Sequence, residues 1–172
     1  MKFKSIVPKA INENVFKLIG TDWMLITAGT TNSFNTMTAS WGGFGVLWHK
    51  DVAFCFIRPI RYTYEFMNKS VYYTLMFFEE KYRNLLKICG TKSGRNIDKI
   101  KEYNFTPVES ANGAIYFEEA RFIIECRKIY ITDIDPEGFV DSSIENNYPQ
   151  KNYHRMFVGE IVNVMLKNNY TQ

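Results

Sequence analysis

The segment Phe122-Ile123-Ile124-Glu125-Cys126-Arg127-Lys128-Ile129-Tyr130-Ile131 sets the reading of the whole chain. Six of its ten residues are isoleucine or aromatic, the side chains that suit a pleated, half-buried surface. A second run of this kind spans residues 157–166, F-V-G-E-I-V-N-V-M-L. Both are long enough to bend around a barrel, although periodicity alone leaves a buried helix open for either. Shorter strand-like blocks cover residues 23–28, 36–40, 52–57, 72–78 and 114–117. The block at 36–40 runs into Gly42-Gly43-Phe44-Gly45, which reads as a glycine turn.

Helical signals are fewer. Residues 79–88 place Tyr82, Leu85 and Leu86 on one face, with Gly90 as the expected stop. Asn96 is placed to cap a short helix through Tyr103, with Ile97 and Ile100 as its apolar stripe. A third short helix is expected after Arg61. Pro59 forbids helix just before it, and Glu65 falls where a first-turn carboxylate favours the macrodipole. Many short strands with a few helices between them predict a mainly β fold, a closed or split barrel rather than a doubly wound sheet. No repeat or linker interrupts the chain, so residues 1–172 read as one domain. Residues 133–153 are polar, contain Pro136, Gly138 and Pro149, and show no period. A loop of that length is commonly functional or lid-like.

Composition narrows the function classes. Hydrophobic residues make up 46% and charged residues 23% of the 172 residues, ordinary values for a globular protein that builds its own core. The net charge is +3, with Lys and Arg scattered, so nucleic acid is not an expected partner. Aromatic residues reach 16%, which suits strands and also stacking surfaces for planar ligands. Met1-Lys2-Phe3-Lys4 leads into no apolar stretch, and no apolar run reaches the roughly 18 residues of a membrane helix. The expected setting is cytoplasmic, without membrane contact. Cys55, Cys89 and Cys126 are far apart and form no metal or disulfide pattern. His49 and His154 are the two histidines, neither beside a carboxylate or cysteine at metal or triad spacing, so no metal is expected.

Four stretches could carry chemistry. Asn35-Thr36-Met37-Thr38-Ala39-Ser40-Trp41-Gly42-Gly43 would let a flat heterocycle approach backbone N–H and C=O groups. Alone it reads more readily as an edge strand running into a glycine turn. Arg58-Pro59-Ile60-Arg61-Tyr62-Thr63 sets two guanidiniums beside hydroxyls at a stiff turn, a pattern that matches phosphate, with a helix start adding free N–H groups. The rival is a pair of exposed arginines. Cys89 to Lys99, C-G-T-K-S-G-R-N-I-D-K, supplies cations, hydroxyls and glycines before a helix, and would look the same as a solvated connector. His154 stands at the entrance to the last long strand, where a lone histidine is more often structural than catalytic. No Rossmann or Walker pattern is present.

Taken in order, these stretches resemble the flavin reductase-like family, the FMN-binding split-barrel proteins that include flavoredoxin. The resemblance runs through T-M-T-A-S-W-G-G at 36–43, R-P-I-R-Y-T-Y-E at 58–65 and C-G-T-K-S-G-R-N-I-D-K at 89–99. It continues through E-A-R-F-I-I-E-C-R-K-I-Y at 119–130 and Y-H-R-M-F-V-G-E-I at 153–161. It implies an antiparallel Greek-key split β-barrel with a few short peripheral helices, a homodimer, and non-covalent FMN near the subunit interface. By this resemblance Thr36, Met37, Thr38, Ala39, Ser40 and Trp41 line the isoalloxazine. Arg58, Arg61, Tyr62 and Thr63 hold the phosphate, and Ser93, Gly94 and Lys99 complete the pocket. His154 falls near the nicotinamide side of the flavin as the candidate catalytic residue. Family members often carry Asp where this chain has Asn96, a departure expected to affect helix capping or substrate choice.

The implied activity is that of an NAD(P)H-dependent flavin reductase, with NADH or NADPH as donor. The alternative keeps FMN without nicotinamide, as a flavoredoxin-type carrier passing electrons to a redox protein partner. A flavin-free binding barrel is the third reading, and it leaves the paired arginines and the S-G-R segment unexplained. A cofactor that carries its own redox chemistry needs from the protein binding, orientation and electrostatics, in keeping with the lack of any acid–base pair. Replacing Arg61 with alanine is expected to weaken FMN binding with little change in fold.

Overall fold

The computed structural model describes residues 2–170, so Met1 of the amino-terminal tetrapeptide read above lies outside it. Along the chain run β1 (Phe3–Ile6), β2 (Met24–Thr30), β3 (Ser33–Ala39), β4 (Gly42–Leu47), β5 (Lys50–Ile57), α1 (Tyr62–Lys69), β6 (Tyr72–Phe77), α2 (Arg83–Thr91), α3 (Lys99–Glu102), β7 (Pro107–Glu109), β8 (Ile115–Phe117), β9 (Phe122–Asp133) and β10 (Arg155–Lys167). The two segments that periodicity left open are both strands.

The main sheet has the order β3-β2-β6-β9-β10-β5-β4, every pair antiparallel. Its two end strands, β3 and β4, are consecutive in sequence and joined by Ser40 and Trp41 alone. Three chain steps span at most about 11 Å, so the ends of the sheet must come together at this corner, and the sheet curls into a barrel. A Cβ on Gly42 would come within 3.1 Å of Met24 Cε on β2, which shows the seam closing. On β10, β5 pairs with residues 155–160 and β1 with residues 164–167. The barrel is split where one partner gives way to the other.

Alternation explains the core. On β9, Phe122, Ile124 and Cys126 point into the barrel with Met24, Ile26, Tyr73, Leu75 and Phe77. Ile123 points the other way, into a second core with Leu25, Met76, Leu85, Leu86, Phe105 and Phe117. Successive strand residues face opposite sides, and α2 with the β7–β8 hairpin covers the outer side. That double burial is why the first half of β9 reads as a continuous apolar run. The pairing of β10 with β9 slips between Val158 and Gly159 and again between Ile161 and Asn163, and such bulges bend a strand. At the first, the missing side chain of Gly159 leaves room for Tyr73, whose Oη would lie 2.3 Å from an added Cβ.

Three expectations change. Residues 42–47 are strand rather than turn. Gly42 is required because the Phe54 carbonyl oxygen would lie 2.6 Å from a Cβ there. Gly90 does not stop α2, which runs through Thr91. Asp98 rather than Asn96 caps α3, its carboxylate accepting from Ile100 N at 3.2 Å and Lys101 N at 3.1 Å. The Asn96 departure therefore leaves capping untouched. β1 and β7 are too short to stand out in the sequence. The expected helix after Arg61 is α1, with Glu65 in its first turn and Thr63 and Met67 buried. No helix among the described residues is long and apolar enough to cross a membrane.

Candidate functional site

Two of the cavities along the edge strand β3 bear on the site. The smaller, about 190 Å³, is lined by Met37, Thr38, Ala39, Ser40 and Trp41 with Phe56, Arg58, Arg61 and His154. The larger, about 780 Å³, is lined by Asn35 and Thr36 of β3, Tyr62 of α1, and the segment from Gly94 through Lys101. β3 pairs only with β2. Every second residue therefore turns its N–H and C=O away from the sheet, where, apart from the Thr36 carbonyl that receives Lys99, they face the polar edge of any ligand.

The side chains of β3 do less than their sequence suggests. Thr36 is buried against Thr27, whose hydroxyl donates to Thr36 Oγ1 at 2.8 Å. Thr38 donates to the Leu86 carbonyl on α2 at 2.5 Å. Met37 belongs to the barrel core. What β3 offers at the cavity is chiefly backbone, together with Ala39, Ser40 and the exposed Trp41.

The cations are arranged differently from a two-arginine fork. Arg61 donates to the Gly90 carbonyl at 2.6 Å and the Cys89 carbonyl at 3.2 Å. Lys99, 4% exposed, donates to the Thr36 carbonyl at 3.0 Å and to the same Cys89 carbonyl at 3.4 Å. Both thus sit on the otherwise unpaired carbonyls at the end of α2, where a cation also meets the favourable end of the helix dipole. Arg58 turns the other way. It donates to Asn152 Oδ1 at 3.1 Å and the Asn147 carbonyl at 2.9 Å, and its guanidinium lies over the Tyr148 ring at 5.2 Å. It clasps the 134–154 loop.

Arg61 and Lys99 form no ion pair with a carboxylate among the described residues. Burial lowers the pKa of each, and the charge of Arg61 lowers Lys99 further. Burial also raises the Cys89 thiol to about 11, against the pull of both cations, so it stays protonated and supplies no counter-charge. Shielded cations held only by carbonyls leave room for an anion beside them. On this observation the residues fit the phosphate of a flavin mononucleotide.

Other expected site residues have structural duties. Thr63 is buried, its Oγ1 accepting from Asn35 Nδ2 at 2.6 Å. Ser93 Oγ accepts from Arg95 N at 3.2 Å within its own turn. Gly94 packs so closely on Asn35 that a Cβ would meet Oδ1 at 2.0 Å. Tyr62 carries the Arg95 guanidinium on its ring at 4.6 Å, and Arg95 pairs with Glu65. Phe56 and Tyr148 escape a reading of the sequence. Asn35 opens the first of the four candidate stretches, whereas nothing local marks Phe56 or Tyr148. Among the described residues no group of three His, Cys, Asp or Glu is placed to hold a metal ion.

His154 is half-buried beside Trp41, ring centroids 4.9 Å apart, and its Nδ1 lies 2.9 Å from the Tyr148 hydroxyl. Burial first, and the Arg58 charge second, lower its pKa to about 4. The ring is neutral at pH 7.

An antiparallel split barrel with shielded cations beside a free strand edge defines a class, and the comparisons agree with it. Residues 16–172 match the family model described as "Flavin reductase like domain". The chain belongs to that family. In three dimensions it is similar to the flavoredoxin of Desulfovibrio vulgaris (Miyazaki F), with TM-score 0.69, 21% identity, and 97% of this chain and 80% of that chain covered. It is similar to the flavoredoxin of Methanosarcina acetivorans, with TM-score 0.68, 20% identity, and 97% and 79% covered. An NADH:FAD oxidoreductase of Streptomyces globisporus C-1027 aligns with TM-score 0.65 and 13% identity, over 85% of this chain and 75% of that chain. No curated protein matches the sequence significantly.

Proposed function

We propose that the chain is an FMN-binding oxidoreductase that accepts hydride from NADH or NADPH, a flavin reductase. The observation that carries this reading is the pair Arg61 and Lys99, shielded cations without a carboxylate beside the free edge of β3. Bound FMN supplies the redox chemistry. The protein's part is to bind and orient. Arg61 and Lys99 attract the phosphate. The backbone of residues 36–41 hydrogen-bonds the polar edge of the ring. Trp41 and His154 bound the place where a second planar group arrives.

Trp41 is 44% exposed, so the site as one chain builds it is open. We propose that a second copy of the chain completes it, giving a homodimer, which sedimentation at micromolar concentration would detect. The same exposure favours the second reading, a flavoredoxin-type carrier whose partner is another redox protein reaching the cavity mouth. Anaerobic mixing of the FMN-loaded protein with NADH or NADPH separates the two. Bleaching of the yellow colour by either nicotinamide supports the reductase. Bleaching only by a chemical reductant supports the carrier.

A further inference from the structure

The connection between β9 and β10 is anchored by one residue. Tyr148 is 3% exposed, the one buried residue between positions 134 and 153, while its neighbours Asn147 and Pro149 lie on the surface. Phe139 stacks on its ring at 6.0 Å, Tyr153 packs beside it at 4.9 Å, and Arg58 lies over it. Among the described residues its hydroxyl meets one side chain, Nδ1 of His154 at 2.9 Å, and it also lies by the backbone N–H of His154, which lowers its pKa against the effect of burial.

That contact has chemical consequences. A neutral imidazole carries one proton, and the hydrogen bond at one nitrogen decides where it sits. A phenol is a good donor, and at pH 7 both groups are neutral, since burial raises the Tyr148 pKa and lowers that of His154. The groups around His154 are Arg58, Tyr148, Trp41 and, behind Tyr148, Tyr153 bonded to Glu145. None is a carboxylate in ion-pair contact with the ring. Nε2 makes no hydrogen bond with any described residue, and His154 lines the cavity.

We infer that Tyr148 is a positioning residue. It donates its hydroxyl hydrogen to His154 Nδ1 and so holds the ring as the Nε2–H tautomer. His154 thereby becomes a neutral donor for the oxygen of a planar, carbonyl- or carboxamide-bearing molecule entering beside Trp41. The tautomer rests on the Tyr148–His154 contact and the donor chemistry of a phenol, and the ligand class rests on the reading given under Proposed function.

The chain has two histidines, so a long-range proton–nitrogen correlation spectrum of the ligand-free protein resolves each ring. Expected is a neutral Nε2–H ring for His154 at pH 7. In Tyr148→Phe, which keeps the packing with Phe139 and Arg58, His154 becomes a mixture of tautomers and its titration midpoint rises. The His49 signals stay in place. An Nδ1–H ring in the wild-type protein, or a Tyr148→Phe spectrum identical to wild type, overturns the inference. On the FMN-loaded protein, Tyr148→Phe is expected to slow reduction by nicotinamide roughly five- to tenfold, the worth of one hydrogen bond, with FMN affinity within about twofold of wild type. An unchanged reduction rate overturns the role in reduction. Wild-type flavin that neither nicotinamide reduces overturns the reductase reading instead, and the spectrum still decides the tautomer.

Discussion

The ammonium of Lys99 donates to the carbonyl oxygen of Thr36 at 3.0 Å, across 63 residues of chain. This bond ties the start of α3 to the edge strand β3 and brings a buried positive charge to the backbone of the candidate flavin site. Replacing Lys99 with methionine tests what the charge is for. Removing an ammonium that has no carboxylate partner relieves its burial, which offsets the two hydrogen bonds lost. The melting temperature of the flavin-free protein is expected to change little. FMN affinity should fall about ten- to a hundredfold, the effect of one charge-assisted hydrogen bond. A titration at wild-type affinity would remove Lys99 from the site.

Arg61→Ala should behave differently. Arg61 holds the Gly90 and Cys89 carbonyls at the end of α2. The sequence alone predicts weaker FMN binding with little change in fold, and the geometry revises that. Both are expected to suffer, with about 1–3 kcal/mol of stability lost in denaturant unfolding as carbonyls lose a charged partner. An unchanged midpoint would show that water replaces the guanidinium freely.

Gly159 and Tyr73 form a coupled pair in the barrel. The Tyr73 hydroxyl is sealed from solvent beside the thiols of Cys55 and Cys126, with no well-formed hydrogen bond among the described residues, and a Cβ on Gly159 would strike it. Tyr73→Phe should leave stability unchanged or raise it by up to about 1 kcal/mol, because a poorly satisfied buried hydroxyl is removed. Gly159→Ala should cost about 1–3 kcal/mol by overpacking. In the double variant the alanine should cost clearly less, and a strictly additive cycle would contradict the coupling.

The depressed pKa of His154 makes stability depend on pH. Its folded value, about 4, lies below the ordinary 6.5, so the unfolded chain binds the proton first as pH falls. The contribution is fully present above about pH 6.5 and is lost progressively toward pH 4. His154→Gln should flatten the pH dependence of unfolding free energy in this window. An unaltered slope would mean that the ring titrates normally.

The barrel was legible because most of its strands are long or double-sided. Phe122, Ile123 and Ile124 face two different cores and still read as strand. β4 was illegible because the seam demands Gly42, and glycine reads as a turn. The cluster of site residues was legible as a set, since Trp41, Arg61 and His154 line one cavity. Their partners were not. Arg58 points to the loop because Asn147 and Asn152 receive it, and Tyr148 reaches His154 through the folding of an aperiodic segment. Such contacts are set by tertiary packing, which leaves no local pattern.

The central claim is that the chain binds FMN through cations at its phosphate. Parallel fluorescence titrations of the flavin-free protein with FMN and with riboflavin test it most directly, because the ligands differ only in that group. FMN is predicted to bind about ten- to a hundredfold more tightly, with the difference shrinking as salt rises. Equal affinities, or no binding of either flavin, would contradict it.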